Sequence, residues 1–197
     1  MLPTDEIWVL MRVISGKARG RKLKRVPGVS TRPIMDRVKE NLFNILGDFV
    51  PGSRWVDLFA GTGQVGIEAL SRRAAEVIFV DNVYAAVRTI KDNLRHTQLA
   101  DDAKVLKMDA YRYLDSPAGA PVDLIYVAPP QYKGMWQKVM LILDQRPSKY
   151  LNEDGLIVVQ IDPKEYQELE LANLIVSDQR RYGSTLLCFY ELPVNVT

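Results

Sequence analysis

Apolar runs of five or six residues alternate with amphipathic stretches along most of the chain. The runs cover residues 55–59, 76–80, 103–107, 122–127 and 155–160 and predict strands buried in a sheet. Apolar positions at helical spacing predict helices over residues 84–98, 133–143 and 163–171. This alternation predicts an α/β fold with a mostly parallel, Rossmann-like sheet and helices on both faces.

Two hairpins are predicted at the ends of the chain. Residues 175–182 and 185–191 predict an antiparallel hairpin that completes a seven-stranded sheet. Strands over 12–14 and 21–26 predict a small N-terminal β-hairpin, which follows a frayed extension over residues 1–10. We therefore divide the chain into residues 1–30, the extension and hairpin, and residues 31–197, the main domain.

A further helix is predicted between the N-terminal hairpin and the first strand of the sheet. Thr31 or Arg32 would lie near its cap, and Pro33 occupies a first-turn position that tolerates proline. Pro51-Gly52 would end it. Its predicted apolar stripe consists of Ile34, Val38, Leu42, Ile45 and Phe49.

The most informative stretch is the glycine turn that follows the strand over 55–59. Gly61, Gly63 and Gly66 join this strand to a helical pattern, as in the first crossover of nucleotide-binding sheets. The glycines alone also fit an ordinary turn. Asp57 makes the pattern more specific, because an acid before the glycines suits a ligand with a positively charged end, such as S-adenosylmethionine. The stretch Asp57-x-Phe59-x-Gly61-x-Gly63 resembles the first motif of class I methyltransferases.

Further polar residues follow the next strands. Asp81-Asn82 ends the strand over 76–80, and a carboxylate there accepts hydrogen bonds from ribose hydroxyls in related folds. Asp109-Ala110 follows the strand over 103–107 and would face the adenine edge. An exposed loop acid at Asp81 and a helix cap at Asp109 are the alternatives.

A proline corner follows the strand over 122–127 and carries the candidate catalytic residues. These are Ala128, Pro129, Pro130, Gln131 and Tyr132. Since ligands of such sheets lie beyond the carboxyl ends of the strands, the acids, the glycine turn and this corner should converge there. A rigid loop that binds nothing is the alternative for the corner.

The residue composition limits the kinds of catalytic and metal sites that the chain could form. Cys188 is the only cysteine among the 197 residues and lies in an apolar run, which indicates a buried thiol. His96 is the only histidine, so we expect neither a metal centre nor a histidine-dependent nucleophile. Asp5 and Glu6 argue against a signal peptide, and no apolar run is long enough for a membrane span. We expect a cytoplasmic protein.

The charge is distributed unevenly. Residues 11–35 carry eight Lys or Arg and no acid, whereas the rest of the chain holds 18 basic and 24 acidic residues. A basic segment on an acidic body indicates contact with a polyanion, most simply nucleic acid. The alternative is a solvated basic hairpin without a partner. The candidate RNA-binding residues are Arg12, Lys17, Arg19, Arg21, Lys22 and Arg32.

Three long stretches resemble the bacterial small-subunit ribosomal RNA guanine-N2 methyltransferase family (RsmD-like). Residues 12–23 resemble its basic hairpin, residues 31–46 its signature helix and residues 57–72 its cofactor loop. The resemblance implies a class I methyltransferase that acts on a guanine amine of 16S rRNA in a small-subunit assembly intermediate. We expect no metal, as the composition indicates, and a monomer. The implied S-adenosylmethionine site consists of Asp57, Phe59, Gly61, Thr62, Gly63, Asp81, Asn82, Asp109 and Ala110.

One departure from the family pattern affects the predicted chemistry. Amine-directed members carry Asp or Asn before Pro-Pro, followed by Tyr or Phe, whereas this chain has Ala128 before the prolines and Gln131 after them. The acid or amide accepts a hydrogen bond from the amine, and the aromatic ring stacks on the flipped base. Here Gln131 would supply an amide oxygen and Tyr132 the stacking face.

Alternative functions remain open at this point. One is a methyltransferase-like RNA-binding or ribosome-assembly protein whose chemistry is impaired by Ala128. Another is an amine methyltransferase whose acceptor is a DNA adenine or a protein amide. A nicotinamide-dependent oxidoreductase is disfavoured, since the chain contains no resemblance to a hydride-transfer site.

Overall fold

A computed structural model describes residues 11–28 and 34–193. The strands and helices of the main domain alternate as the hydrophobic pattern predicts. The strands are β1 (Arg54–Asp57), β2 (Glu76–Asp81), β3 (Ala103–Lys107), β4 (Val122–Val127), β5 (Leu151–Ile161), β6 (Ile175–Tyr182) and β7 (Thr185–Glu191). The helices are α1 (Asp36–Leu46), α2 (Gln64–Ser71), α3 (Tyr84–Thr97), α4 (Ala110–Asp115) and α5 (Met135–Gln145).

The seven strands form one sheet in the order β3-β2-β1-β4-β5-β7-β6. Strands β1 to β5 pair in parallel, and β7 pairs antiparallel with both β5 and β6. The predicted Rossmann-like fold, with its antiparallel C-terminal hairpin, is confirmed. The strand order reverses between β1 and β4, and ligands of open α/β sheets bind outside the carboxyl ends of the strands at such a point.

Two apolar clusters, one on each face of the sheet, hold the helices in place. Side chains that alternate along each strand, such as Trp55 and Val56, belong to opposite clusters. The first cluster joins the sheet to α1, α2, α3 and the N-terminal hairpin, and the second joins it to α4 and α5. Helices therefore cover both faces. None of the helices in the described ranges is long and apolar enough to cross a membrane.

The N-terminal hairpin packs into the first cluster. Met11, Val13, Ala18 and Leu23 are buried in it beside residues of α1 and α2. The hairpin contains one antiparallel bridge, Arg12↔Lys22, instead of the two regular strands predicted. Its backbone turns within this short span, and packing against the main domain replaces a longer ladder. The predicted boundary at residues 30 and 31 lies outside the described residues and stays a prediction.

Helix α1 is shorter than predicted at both ends. It begins at Asp36, after the extended residue Met35, so the predicted start near Thr31 is wrong, although residues 31–33 themselves lie outside the described part. It ends at Leu46, where Gly47 adopts a positive φ of 46° and a short 3-10 turn follows. The chain therefore leaves the helix before Pro51.

The buried face of α1 also differs from the predicted stripe. Val38 and Leu42 are buried as expected, but Ile45 is 41% exposed and Phe49 lies beyond the helix. Lys39 is buried in its place, since a carboxylate from α2 pairs with it. The buried face of α1 includes a charged residue, so it differs from the face that the apolar residues alone indicate.

Two short segments also differ from the predicted secondary structure. The helix predicted over 163–171 reduces to a 3-10 turn, Pro163–Glu165, because Tyr166 leaves it in an extended conformation. Tyr166 then stacks on Trp136 with ring centroids 6.3 Å apart, and this burial outweighs helix propensity. Helix α4 was not predicted, although the cap at Asp109 was an open alternative.

Candidate functional site

A cavity of about 500 Å³ opens at the carboxyl ends of β1 to β4, at the reversal of strand order. Residues from separate elements line it. The predicted site residues among them are Asp57, Phe59, Gly61, Thr62, Asp81, Asn82, Asp109, Ala110, Ala128, Pro129, Pro130 and Gln131. These residues come together at the cavity, as their positions at the ends of the strands predict. Two of the predicted cofactor-binding and catalytic residues, Gly63 and Tyr132, are not part of the lining.

Asp81 is held at the tip of β2 by two backbone amides. Gly61 N–H donates to Asp81 Oδ2 at 2.8 Å, and Val83 N–H donates to Asp81 Oδ1 at 2.8 Å. Burial raises the pKa of this carboxyl, and the two amide hydrogen bonds oppose the rise. The carboxylate is fixed in direction, and each oxygen keeps lone-pair capacity toward the cavity.

Asp57 is the most deeply buried acid of the cavity, at 2% exposure. Burial raises its pKa to about 7, a hydrogen bond from the Gly66 amide opposes the rise, and the nearby Asp81 carboxylate adds to it. A negative charge at this point is costly unless a cation lies beside it. The site therefore favours a ligand that carries positive charge.

The glycine turn between β1 and α2 places backbone against the cavity. Gly61 and Gly63 adopt positive φ angles of 55° and 77°, which side chains with Cβ atoms rarely adopt. Gly66 serves packing, because a Cβ there would lie 2.3 Å from the Phe79 ring. Two of these glycines shape the turn, and the third lets α2 approach the sheet.

Asp109 caps the start of α4, as the alternative interpretation of this residue predicts. Its Oδ1 accepts hydrogen bonds from the amides of Tyr111 at 2.9 Å and Arg112 at 3.3 Å, at the start of α4. Asp109 also lines the cavity, between Met108 and Ala110. The structure thus combines a cap with a position at the cavity wall.

The proline corner lines the same cavity as the acids and follows β4, the strand that pairs with β1. Pro129 is buried, whereas Pro130 and Gln131 are exposed at the rim. Tyr132 follows with a positive φ of 59° and is 64% exposed. Its backbone amide donates to Glu165 Oε2 at 2.6 Å, which ties the corner to the turn after β5.

Four polar residues of the cavity were not predicted as site residues: Gln64, Tyr126, Lys133 and Gln160. Gln64 opens α2, is 6% exposed, and its Oε1 has no hydrogen-bond partner among the described residues. Tyr126 on β4 donates its hydroxyl to Gln160 Oε1 on β5. A polar residue at the end of an apolar strand signals Gln160, whereas Gln64 resembles any residue of a helix start.

The basic hairpin adjoins this cavity, since Val26 at its end contributes to the lining. Arg12 and Arg21 bind within the protein: Arg12 Nε lies 3.0 Å from Asp36 Oδ2, and Arg21 Nη2 donates to Gln98 Oε1 at 2.9 Å. Lys17, Arg19 and Lys22 are exposed. Arg32 lies outside the described residues.

Buried polar groups dock the hairpin on α2. Glu68 is fully buried and accepts the amides of Ile14 at 2.7 Å and Ser15 at 2.9 Å. Lys39 Nζ lies 3.6 Å from Glu68 Oε2, and Arg72 Nε lies 2.9 Å from Glu68 Oε1. Burial lowers the pKa of Lys39, while Glu68 opposes this change.

A second contact joins the hairpin directly to the glycine turn. Asn93 on α3 is fully buried, and its Oδ1 accepts the Lys24 amide at 2.8 Å. Its Nδ2 donates to the carbonyls of Lys24 at 3.1 Å and Thr62 at 3.0 Å. One side chain therefore binds both the hairpin and the turn that lines the cavity.

The residues present fit S-adenosylmethionine. Asp81 offers two fixed carboxylate oxygens to ribose hydroxyls, and Asp57 is an acid whose burial favours a cation. The unpaired Oε1 of Gln64 provides an acceptor for an ammonium group. No group of three or more His, Cys, Asp or Glu within the described ranges could hold a metal ion.

Comparison with known proteins supports the same class. The chain is 39% identical over 183 residues to "Putative rRNA methyltransferase YlbH" of Bacillus subtilis, covering 92% of this chain and 98% of that protein. It is 34% identical over 181 residues to "Ribosomal RNA small subunit methyltransferase D" of Escherichia coli K12, covering 92% and 89%.

Solved structures share the fold. "Putative methyltransferase yhhF" of Escherichia coli matches with a TM-score of 0.78 and 32% identity, covering 93% of this chain and 98% of that chain. An RNA methyltransferase of Salinibacter ruber, solved with S-adenosyl-L-homocysteine, matches in fold with a TM-score of 0.64 and 14% identity, covering 84% and 97%.

The fold and the cavity define a class I methyltransferase whose cofactor is S-adenosylmethionine. Residues 11–191 match the family described as "Conserved hypothetical protein 95". The chain belongs to this family, and its resemblance to the small-subunit ribosomal RNA methyltransferases is confirmed.

Proposed function

We propose that the protein methylates the exocyclic N2 amine of a guanine in 16S rRNA, with S-adenosylmethionine as methyl donor. The observation that carries the proposal is the shared cavity, which is lined both by the acids of β1 and β2 and by the proline corner after β4. The names of two relatives, an rRNA methyltransferase and a ribosomal RNA small subunit methyltransferase, support the substrate class.

The cofactor would span the cavity between the strand tips. Asp81 would accept the ribose hydroxyls, and Asp109 with Ala110 would face the adenine. Asp57 and Gln64 would hold the charged amino-acid end, beside the backbone of Gly61. The remaining predicted contacts are Phe59, Thr62, Gly63 and Asn82. When bound, the cofactor supplies a methyl group on a sulfonium, which is already a good leaving group.

The proline corner would position the target base. Pro129 and Pro130 restrict the backbone, so the carbonyls of Ala128 and Pro129 keep a fixed direction. Tyr132 is exposed at the rim and would offer its ring to the flipped base, with Gln131 beside it. Catalysis would depend mainly on position and alignment.

The hairpin would bind the phosphates of the RNA. Lys17, Arg19 and Lys22 are exposed and would contact phosphates directly. Arg12 and Arg21 would mainly keep the hairpin docked, given their contacts with Asp36 and Gln98. Arg32 is proposed from the sequence alone. We propose a monomer that acts in the cytoplasm on a small-subunit assembly intermediate.

A methyl-transfer assay tests the function. Incubation with labelled S-adenosylmethionine and undermodified small subunits should label one guanine, at N2. Duplex DNA and ribosomal protein, supplied separately at the same salt, should take up no label. If calorimetry shows cofactor binding but no RNA is labelled, the proposal fails.

Ala128 favours a second candidate, an RNA-binding assembly protein without chemistry. Ala128 offers no side-chain acceptor to an amine at the corner. The substitution Ala128→Asp separates the two functions. Activity that rises from zero in Ala128→Asp supports the assembly protein, whereas an active parent that Ala128→Asp impairs supports an enzyme with a rearranged site.

A further inference from the structure

The proline corner lacks a side chain that could accept a hydrogen bond at position 128, and the neighbouring strand provides one. Strands β4 and β5 are parallel, and their register pairs Tyr126 with Val158 and Val127 with Val159. Continuing this register by one residue, just beyond the end of β4, places Ala128 next to Gln160. The polar side chain therefore comes from β5, beside the position where β4 has only a methyl group.

The side chains of this pair point to the same face of the sheet. Tyr126 and Val158 are buried in the first apolar cluster, and Ala128 packs against it. Side chains alternate along a strand, so Gln160, two residues after Val158, points to that face as well. Tyr126, Ala128 and Gln160 all line the cavity.

Tyr126 fixes the orientation of the Gln160 carboxamide. Its buried hydroxyl donates to Gln160 Oε1. Burial, with the Asp57 carboxylate nearby, raises the pKa of Tyr126 well above its ordinary value, so the hydroxyl stays a donor at neutral pH. A carboxamide oxygen has two lone pairs, and one of them remains for another donor.

We infer that Gln160 is a catalytic residue: its Oε1 accepts a hydrogen bond from the target amine and replaces the acceptor that Ala128 lacks. The inference rests on the proposed function. It assigns the role to β5 instead of Gln131, which is exposed at the rim of the corner. Tyr126 is then a positioning residue, which acts through Gln160.

The proposed hydrogen bond from the target amine to Gln160 assists the methyl transfer. The guanine N2 lone pair forms a bond to the methyl carbon, and the bond between carbon and sulfur breaks with its electron pair on sulfur, which leaves a neutral thioether. The nitrogen then loses one proton to solvent water, since a carboxamide is not a base at neutral pH. Gln160 holds the amine so that its lone pair points at the methyl carbon.

Single-turnover methyl transfer with undermodified small subunits tests the inference. Gln160→Met keeps a side chain of similar length but removes the strong acceptor, and should lower the rate at saturating cofactor by about 10²-fold or more. Affinity for S-adenosylhomocysteine should stay within about threefold of the parent, because Gln160 is not part of the proposed cofactor contacts. Gln145→Met, an exposed glutamine at the end of α5, should match the parent.

Two further variants keep the test independent of folding. Gln160→Glu retains an acceptor and should keep a rate within about tenfold of the parent. Ala128→Asp combined with Gln160→Met should regain most of the rate lost in Gln160→Met, since the acceptor returns on β4. A Gln160→Met enzyme as fast as the parent, or a loss confined to Gln131→Met, would overturn the inference alone. A parent that labels no guanine would overturn the proposed function, and the inference with it.

Discussion

At the residue scale, the acids of the cavity show which roles the sequence could predict. Asp57 and Asp81 were predicted from their positions at strand tips, and both line the cavity. Gln64 and Gln160 were not predicted, because their roles depend on burial and on strand register. Neither quantity is visible in the order of residues. Gln160 had one sequence signal, its position at the end of an apolar strand, whereas Gln64 at a helix start had none.

The raised pKa of Asp57 predicts a pH dependence of cofactor binding. Burial raises this pKa from 3.8 to about 7, and the ammonium group of the ligand pairs only with the ionised form. Affinity for S-adenosylhomocysteine should therefore be about tenfold weaker at pH 6 than at pH 8. Calorimetry at both pH values measures it. Asp57→Asn should bind weakly at both, and an equal pH dependence in this variant would contradict the assignment.

The same carboxyl affects the stability of the free protein in the opposite direction. Because its folded pKa lies above its unfolded pKa, the folded state binds the proton more tightly between about pH 4 and 7. The contribution of Asp57 to the free energy of unfolding should therefore fall as pH rises through this window. Urea unfolding of the parent and of Asp57→Asn at pH 5 and 8, without ligand, measures the difference.

At the element scale, the strands of the sheet and the longer helices were predicted well, and their ends less well. The short helix α4 was missed, and the helix over 163–171 was overpredicted. β3, β4, β6 and β7 have the predicted bounds. The start of α1 was predicted wrongly, since the capping pattern in the sequence does not show that Met35 is extended. The hairpin strands were overpredicted, because contacts with α2 take the place of cross-strand pairs.

Two glycines of the hairpin offer a matched test of its docking on α2. Gly16 and Gly20 have nearly equal φ angles, 83° and 81°. A Cβ at Gly16 would lie 1.9 Å from the Ser71 backbone oxygen, whereas a Cβ at Gly20 meets nothing within 4 Å. Gly20→Ala should cost about 1–2 kcal/mol through backbone strain alone.

Gly16→Ala should cost clearly more, because the hairpin must move away from α2 to relieve the contact. The free energy of unfolding in urea measures both variants. Their difference isolates the docking contact, since the backbone strain is nearly the same. Equal values for the two variants would mean that the hairpin is not held against Ser71.

At the scale of the whole molecule, the uneven charge predicted a nucleic-acid surface, and the fold sets this surface beside the cavity. Val26 and Ile34 of the N-terminal region line the same cavity as the acids. The sequence could predict the basic segment but not that two of its arginines bind within the protein. Their partners, Asp36 and Gln98, lie far from them in the chain or on another element.

The exposed cations predict a salt dependence of RNA binding. Replacing Lys17, Arg19 and Lys22 together with Ala should lower the slope of log affinity against log salt by about two to three. Filter binding to 16S rRNA between 50 and 200 mM salt measures the slope. A control variant replaces three exposed cations on and after the helices of the opposite face, Arg112, Lys138 and Arg146. The same change of slope in this control would show that the hairpin cations contribute no more to RNA binding than other exposed cations.

The contacts of the hairpin also set an order of events during synthesis. Its segment leaves the ribosome before the groups that hold it: Glu68 is 54 residues beyond Ile14, and Asn93 is 69 residues beyond Lys24. A nascent chain that stops before α3 therefore has no partner for Lys24. The hairpin surface proposed to bind RNA therefore becomes complete only after α3 has emerged, and by then Asp57 and Asp81 of the proposed cofactor site have emerged as well.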